Sequence, residues 1–162
     1  TNSTELKKKI KDIQKKYNCA SIVETYLCGK EYTVGIIQDT VTGNLIALPA
    51  EIIIEKNKQG QRILDFKMKK ENTEELIKVS DIKLFNVLAD MAKKSFKALK
   101  GRSIGRIDIR MNENFIPHFI EANLMPGLRG GYFYRCCNLN LNINYQEMIL
   151  RIVNNGLTLS KI

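Results

Sequence analysis

The chain has 162 residues and a mass of 18.5 kDa, room for one compact domain or two small lobes around a shared core, which argues against a multidomain arrangement. Hydrophobic residues make up 44% and charged residues 27%, ordinary globular values, and no apolar run approaches the roughly 20 residues that cross a bilayer, so no membrane partner is expected. Lys and Arg number 26 against 17 Asp and Glu, a net charge of +9, which raises the question of an anionic partner such as nucleic acid or a nucleotide.

Much of that excess lies in Lys7, Lys8, Lys9, Lys11, Lys15 and Lys16 of one helical stretch and Lys93, Lys94, Lys97 and Lys100 of another. Solvated helix faces explain it better than a nucleic-acid footprint. Residues 1–6 carry no initiator Met, no apolar signal core and no Arg-rich targeting pattern, so the chain is expected to begin inside a longer polypeptide. Cys19, Cys28, Cys136 and Cys137 form no CxxC pair and no finger-like Cys/His spacing. That usage fits a reducing, cytoplasmic setting.

In chain order, Leu6, Ile10 and Ile13 recur at helical spacing among lysines from Glu5 to Tyr17 and predict a surface amphipathic helix. Ser21–Leu27, Tyr32–Gln38 and Leu45–Leu48 then read as antiparallel strands parted by tight turns at Cys28-Gly29-Lys30 and Thr42-Gly43-Asn44. Glu51–Glu55 and Arg62–Phe66 flank Asn57-Lys58-Gln59-Gly60 as a further hairpin. After a polar stretch over residues 67–79, Ser80 is expected to cap a helix running to about Lys100. Ile104–Met111 and Phe115–Ala122 form a hairpin across Asn112-Glu113-Asn114. A Pro-Gly loop from Met125 to Gly131 and a Cys/Asn-rich stretch lead to a final helix over about Asn144–Asn155. The fold class is α+β, mainly an antiparallel sheet with flanking helices.

The chemistry concentrates in Gly105-Arg106-Ile107-Asp108-Ile109-Arg110 and in Phe119-Ile120-Glu121-Ala122-Asn123-Leu124-Met125-Pro126-Gly127. Alternation along a strand puts Arg106, Asp108 and Arg110 on one face, and Glu121 and Asn123 on one face of the next strand. With two or four residues in the turn, even positions pair with odd ones, and Asp108, Glu121 and Asn123 converge beside Arg106. Two carboxylates and an amide oxygen are hard ligands suited to Mg²⁺, and an adjacent Arg suits a phosphoryl group. A surface hairpin with charges on its wet side remains the alternative.

The pattern Arg-x-Asp followed by Glu-Ala-Asn-x-x-Pro-Gly resembles the metal-binding end of the ATP-grasp superfamily, and most of all the D-alanine-D-alanine ligases. Ile22-Val23-Glu24-Thr25-Tyr26-Leu27-Cys28-Gly29-Lys30-Glu31-Tyr32-Thr33-Val34 is similar to that family's adenine-binding hinge and ribose contact. Leu48-Pro49 with Glu51-Ile52, and Asp65-Phe66-Lys67-Met68-Lys69, fall where the family has a strand pair and a phosphate-contacting lysine. The resemblance covers nearly the whole chain and implies the C-terminal half of a ligase, with the acid-binding N-terminal part lying outside it.

It implies that Glu24 accepts from the adenine amino group while the backbone of Thr25 and Leu27 reads the ring, that Glu31 binds ribose hydroxyls, and that Lys69 touches phosphate, with Lys67 on the same strand face. Asp108, Glu121 and Asn123 would ligate two Mg²⁺ ions, or Mn²⁺, with Glu121 bridging. Arg106 would stabilise an acyl phosphate and the Gly127 backbone an oxyanion. ATP and small carboxylate and amine substrates would be the partners, and a homo-oligomer stays open. Where the family holds the second substrate's carboxylate with a small hydroxyl residue, this chain has Leu128 to Arg135, which makes Arg129 and Tyr132 the candidates for acceptor binding. The segment after Lys69 is also short for the family's active-site loop.

His118 is the only histidine; strand parity sets it on the face opposite Glu121, as a packing or surface residue. Cys136-Cys137 has no basic partner in the sequence to make it a nucleophile. The leading reading is the nucleotide and metal half of an ADP-forming carboxylate-amine ligase, inactive by itself. A non-catalytic nucleotide-binding module and a basic nucleic-acid-binding domain are the alternatives.

Overall fold

In a computed structural model the chain is described at residues 2–39, 41–55, 60–62 and 74–159. Its elements in order are α1 (Ser3–Tyr17), β1 (Glu31–Gln38), β2 (Leu45–Ile53), β3 (Glu75–Lys78), α2 (Ile82–Ala98), β4 (Ile104–Met111), β5 (Pro117–Asn123), α3 (Tyr132–Leu141) and α4 (Tyr145–Leu159). Among the described residues the strands form one antiparallel sheet in the order β3-β2-β1-β4-β5. None of the described helices is long and apolar enough to cross a membrane.

Helices cover both faces of the sheet, which is why β1 is buried along most of its length. On one face, Leu88, Ala89, Ala92 and Phe96 of α2 pack on Val34, Ile36, Ile107 and Ile109. On the other, Phe133, Cys136 and Cys137 of α3 and Met148 of α4 pack on Ile37, Leu48, Ala50 and Ile52. Thr33, Gly35 and the even-numbered residues of β4 face α3: Cys136 Sγ lies 3.7 Å from the Thr33 carbonyl oxygen, and a Cβ on Gly35 would meet Cys136 Cβ at 3.1 Å. That face carries the polar site.

Several elements differ from the sequence expectation. Among the described residues, 21–27 make no ladder; the segment is followed by Gly29, whose N–H donates to the Met111 carbonyl at 3.0 Å. A Cβ there would sit 2.6 Å from that oxygen, so glycine permits the approach. The two strands expected around Pro49 are one continuous β2, with Pro49 beyond the end of β3, where a missing donor is tolerated. The polar stretch before α2 contains β3, and Asp81 rather than Ser80 caps α2, accepting from the Lys83 and Leu84 N–H groups at 2.8 and 3.2 Å. The Cys/Asn-rich stretch is α3. Of the expected strand Arg62–Phe66, residues 63–66 lie outside the described residues, as do Lys67 and Lys69.

Candidate functional site

The hairpin of β4 and β5 decides where the acidic residues go. Residues 112–116 separate the strands, an odd number, with Phe115 in the left-handed region at φ 59° and the Asn112 side chain accepting from the Asn114 and Ile116 N–H groups, each at 2.9 Å. This loop pairs Met111 with Pro117, Arg110 with His118 and Ile109 with Phe119. Continued unchanged, the register would set Glu121 opposite Ile107, on the apolar α2 side. A bulge at Ile120 intervenes. Beyond it Asp108 stands opposite Glu121 and Arg106 opposite Asn123, so the one inserted residue restores the parity that the odd loop removed.

The same bulge corrects the reading of His118. Paired with Arg110, it lies on the same sheet face as Asp108 and Glu121 and lines the cleft described below. Parity counted without the bulge places it on the wrong side.

At one end of this face Arg106 donates Nε to Asp108 Oδ1 at 3.0 Å and Nη2 to Oδ2 at 2.8 Å, and reaches Glu121 Oε1 at 3.2 Å. Asn123 donates to the same Glu121 oxygen at 3.3 Å. Asp108 is buried and also accepts from the Thr33 hydroxyl at 2.8 Å, supplied across the β1–β4 ladder, where Thr33 is its direct partner. Burial works against the Arg106 cation, but its hydrogen bonds to Asp108 and the charges of Asp108 and Glu121 outweigh that cost and raise its pKa, so the cation is secure. Two carboxylates and an amide thus share one face, a hard-oxygen donor set that fits Mg²⁺. Among the described residues no group of three or more His, Cys, Asp or Glu side chains could hold a metal, so the amide and outside oxygens would have to complete the shell.

At the other end of the face lies a cleft of about 570 Å³ lined by Glu24, Thr25, Tyr26, Leu27, Glu31, Arg110, His118 and neighbouring residues. Four residues expected at a nucleotide, Glu24, Thr25, Leu27 and Glu31, therefore share one cavity, although no strand holds the first three. Glu31 is ion-paired with Arg110 at 3.0 Å. The cleft and the acidic cluster are joined by β4, with Arg110 two residues from Asp108 on the same side of the strand.

The D-ala D-ala ligase C-terminus family matches residues 1–154. The chain belongs to this family. The D-alanine--D-alanine ligase of Clostridium beijerinckii is 25% identical over 148 residues, covering 90% of this chain and 46% of the relative. That of Dichelobacter nodosus is 27% identical over 138 residues, covering 85% and 43%. The crystal structure of the Bacillus anthracis D-alanine--D-alanine ligase complexed with ATP superposes with a TM-score of 0.72 at 20% identity, over 99% of this chain and 48% of that one, a likeness of fold. The chain spans about half the length of the curated relatives it matches. Its fold is that of the C-terminal part of a D-alanine-D-alanine ligase-like ATP-grasp protein.

In the segment where the chain departs from the family pattern, Gly127 and Arg129 are exposed on the loop after β5. Gly131 packs under that loop, since a Cβ on it would sit 2.5 Å from the Gly127 carbonyl oxygen. Tyr132 opens α3 with its ring near two guanidinium groups, 5.4 Å from Arg106 and 5.7 Å from Arg135. Burial and the nearby Glu74 carboxylate raise its phenol pKa well above 10. Arg135, a candidate grip for a substrate carboxylate by charge alone, pairs with the buried Glu74 at 3.3 Å and donates to the Glu74 carbonyl at 3.2 Å. Sequence reasoning passed over Thr33, Arg110 and Glu74. Arg110 could have been found, since alternation already put it on the face of Arg106 and Asp108; Thr33 and Glu74 depend on pairings made across 75 and 61 residues.

Proposed function

We propose that this chain is the nucleotide- and metal-binding part of an ADP-forming carboxylate-amine ligase, one that phosphorylates a carboxylate with ATP and lets an amine displace the phosphate. The observation that carries the reading is the bulge at Ile120, which brings Asp108, Glu121 and Asn123 together beside Arg106 on the face that also holds the Glu24–Glu31 cleft. A hairpin with solvated charges has no need of a register correction.

In this reading adenine lies against Glu24 and the backbone of Thr25 and Leu27, Glu31 accepts from ribose hydroxyls, and Lys69 meets phosphate. Asp108, Glu121 and Asn123 hold two Mg²⁺ ions, or Mn²⁺, whose charge lets two anionic reactants share one site. Arg106, already oriented by both carboxylates, faces the transferring phosphoryl group, and Tyr132 fixes its guanidinium plane. The Gly127 N–H serves the developing oxyanion. Arg129, exposed on the same loop, is the candidate for the acceptor carboxylate, since Arg135 is committed to Glu74. A small carboxylate and an amino acid amine are the substrates, and the acid-binding part is supplied from outside this chain.

Calorimetric titration of the chain with a non-hydrolysable ATP analogue, with and without Mg²⁺, tests this. Binding is expected to need Mg²⁺, and Glu121→Gln, which removes the bridging charge at nearly constant volume, should abolish at least about tenfold of the Mg²⁺-dependent gain while leaving the thermal melt unchanged. Nucleotide binding that ignores Mg²⁺ in both forms would refute the metal assignment. Salt-sensitive binding of DNA with none of nucleotide would favour the basic-domain reading instead.

A further inference from the structure

The cleft contains a cation that the proposed reaction does not use. Arg110 lies in the middle of three strands, opposite Glu31 of β1 and opposite His118 of β5. Its side chain is only 12% exposed. From there it reaches three separate stretches of chain: Nη1 donates to Glu31 Oε2 at 3.0 Å, Nη2 donates to the Tyr26 hydroxyl at 3.3 Å and to the Arg62 carbonyl, and the guanidinium lies 5.2 Å from the Tyr26 ring centroid. Tyr26 closes the triangle. Its hydroxyl accepts from the Arg62 N–H at 3.1 Å.

These contacts matter because, among the described residues, Tyr26 makes the only side-chain hydrogen bonds of residues 21–27. Residues 21–27 belong to no strand, and Glu24, Thr25 and Tyr26 are exposed. Tyr26 sits between Thr25 and Leu27, so whatever fixes its ring and hydroxyl fixes the backbone on either side. The same guanidinium orients the Glu31 carboxylate, which a ribose would need in one rotamer to accept its hydroxyl hydrogens.

We propose that Arg110 is a positioning residue for a ribonucleotide. It holds the Glu31 carboxylate and the Thr25–Leu27 backbone in their binding geometry and so sets the preference for ribose over deoxyribose. The inference rests on the nucleotide reading above and extends it to a residue with no assigned part. Without the guanidinium, Glu31 loses the ion pair that orients its carboxylate, and the hinge loses its tie to Arg62.

The test is the ratio of affinities of the chain for ATP and 2′-deoxy-ATP in the presence of Mg²⁺, measured by calorimetry on the wild type, Glu31→Gln, Arg110→Met and Arg110→Lys. The wild type should prefer ATP. Glu31→Gln and Arg110→Met should each lower the ratio about tenfold, the scale of one charge-assisted hydrogen bond, and Arg110→Lys should restore part of it. A merely structural role would weaken both nucleotides alike and leave the ratio untouched; that result in Arg110→Met, or in Arg110→Lys should the first variant not fold, overturns the inference and spares the nucleotide reading. A wild type that binds ATP and 2′-deoxy-ATP equally overturns it also. A wild type that binds neither overturns the nucleotide reading itself, and this inference with it.

Discussion

Cys136 and Cys137 sit beneath the polar face with no exposed surface, and burial sets their chemistry. It pushes both thiols up to about 12 from an ordinary value near 9, and burial with the Glu51 charge pushes the Tyr32 phenol from 10 to about 12. In the unfolded chain these groups lose protons near 9 and 10, whereas in the folded chain they keep them to about 12. Their contribution to stability is therefore complete below pH 9 and is lost as pH rises toward 12. Urea unfolding should show a loss of about 2–3 kcal/mol between pH 8 and pH 10, and Cys136→Ala with Cys137→Ala should flatten that slope; a wild-type stability unchanged over this range would contradict it. The site residues were legible for a different reason. Arg106, Asp108, Glu121 and Asn123 alternate within strands, a pattern local enough to read directly. His118 was misplaced because a bulge leaves no mark on composition, and Thr33 was missed because its role comes from a partner 75 residues away.

At the level of elements, glycines separate packing from freedom. A Cβ on Gly105 of β4 would lie 2.5 Å from the ring of Phe96, which is fully buried. A Cβ on Gly156 of α4 would meet nothing within 4 Å. Gly105→Ala should thus cost about 1–3 kcal/mol through overpacking, whereas Gly156→Ala should add about 0.5–1 kcal/mol through helix propensity. Urea midpoints of the two variants should move in opposite directions; both falling would show that α4 does not persist through Gly156. The elements read correctly from sequence, α1, β1, α2, β4, β5 and α4, are those with clear periodicity or sharp ends. Asn144 and Glu147 at the start of α4 cap one another, with N–H to side-chain oxygen distances of 2.8 and 3.0 Å. The α3 helix hid because Cys and Asn are weak helix formers and Gly131 offers no capping side chain, although Phe133, Cys136 and Cys137 stand at helical spacing. Residues 21–27 carry β-rich composition but pair with no strand among the described residues, and composition by itself does not supply a partner.

Across the whole molecule, the sheet joins two halves of one face. β1 and β4 carry the cleft at the Glu31–Arg110 end and the acidic cluster at the Arg106–Asp108 end, so a nucleotide lying along them would direct its phosphates from the first toward the second. Such a platform can bind, but a ligase must also present a carboxylate to the γ-phosphate and an amine to the product of that step. Positioning of this kind supplies much of the rate in a reaction whose covalent chemistry needs little from the protein. The chain spans about half of the relatives it matches, and the described residues place one cation, Arg106, beside the acidic cluster. We therefore expect Mg²⁺-dependent nucleotide binding without turnover when the chain is studied by itself. A coupled assay for ADP release, run with D-alanine and then with a panel of amino acids, should remain at background while calorimetry on the same sample shows nucleotide bound. ADP release that rises with added amino acid would mean that this chain contains its own acid site, and the division of labour proposed for it would fall.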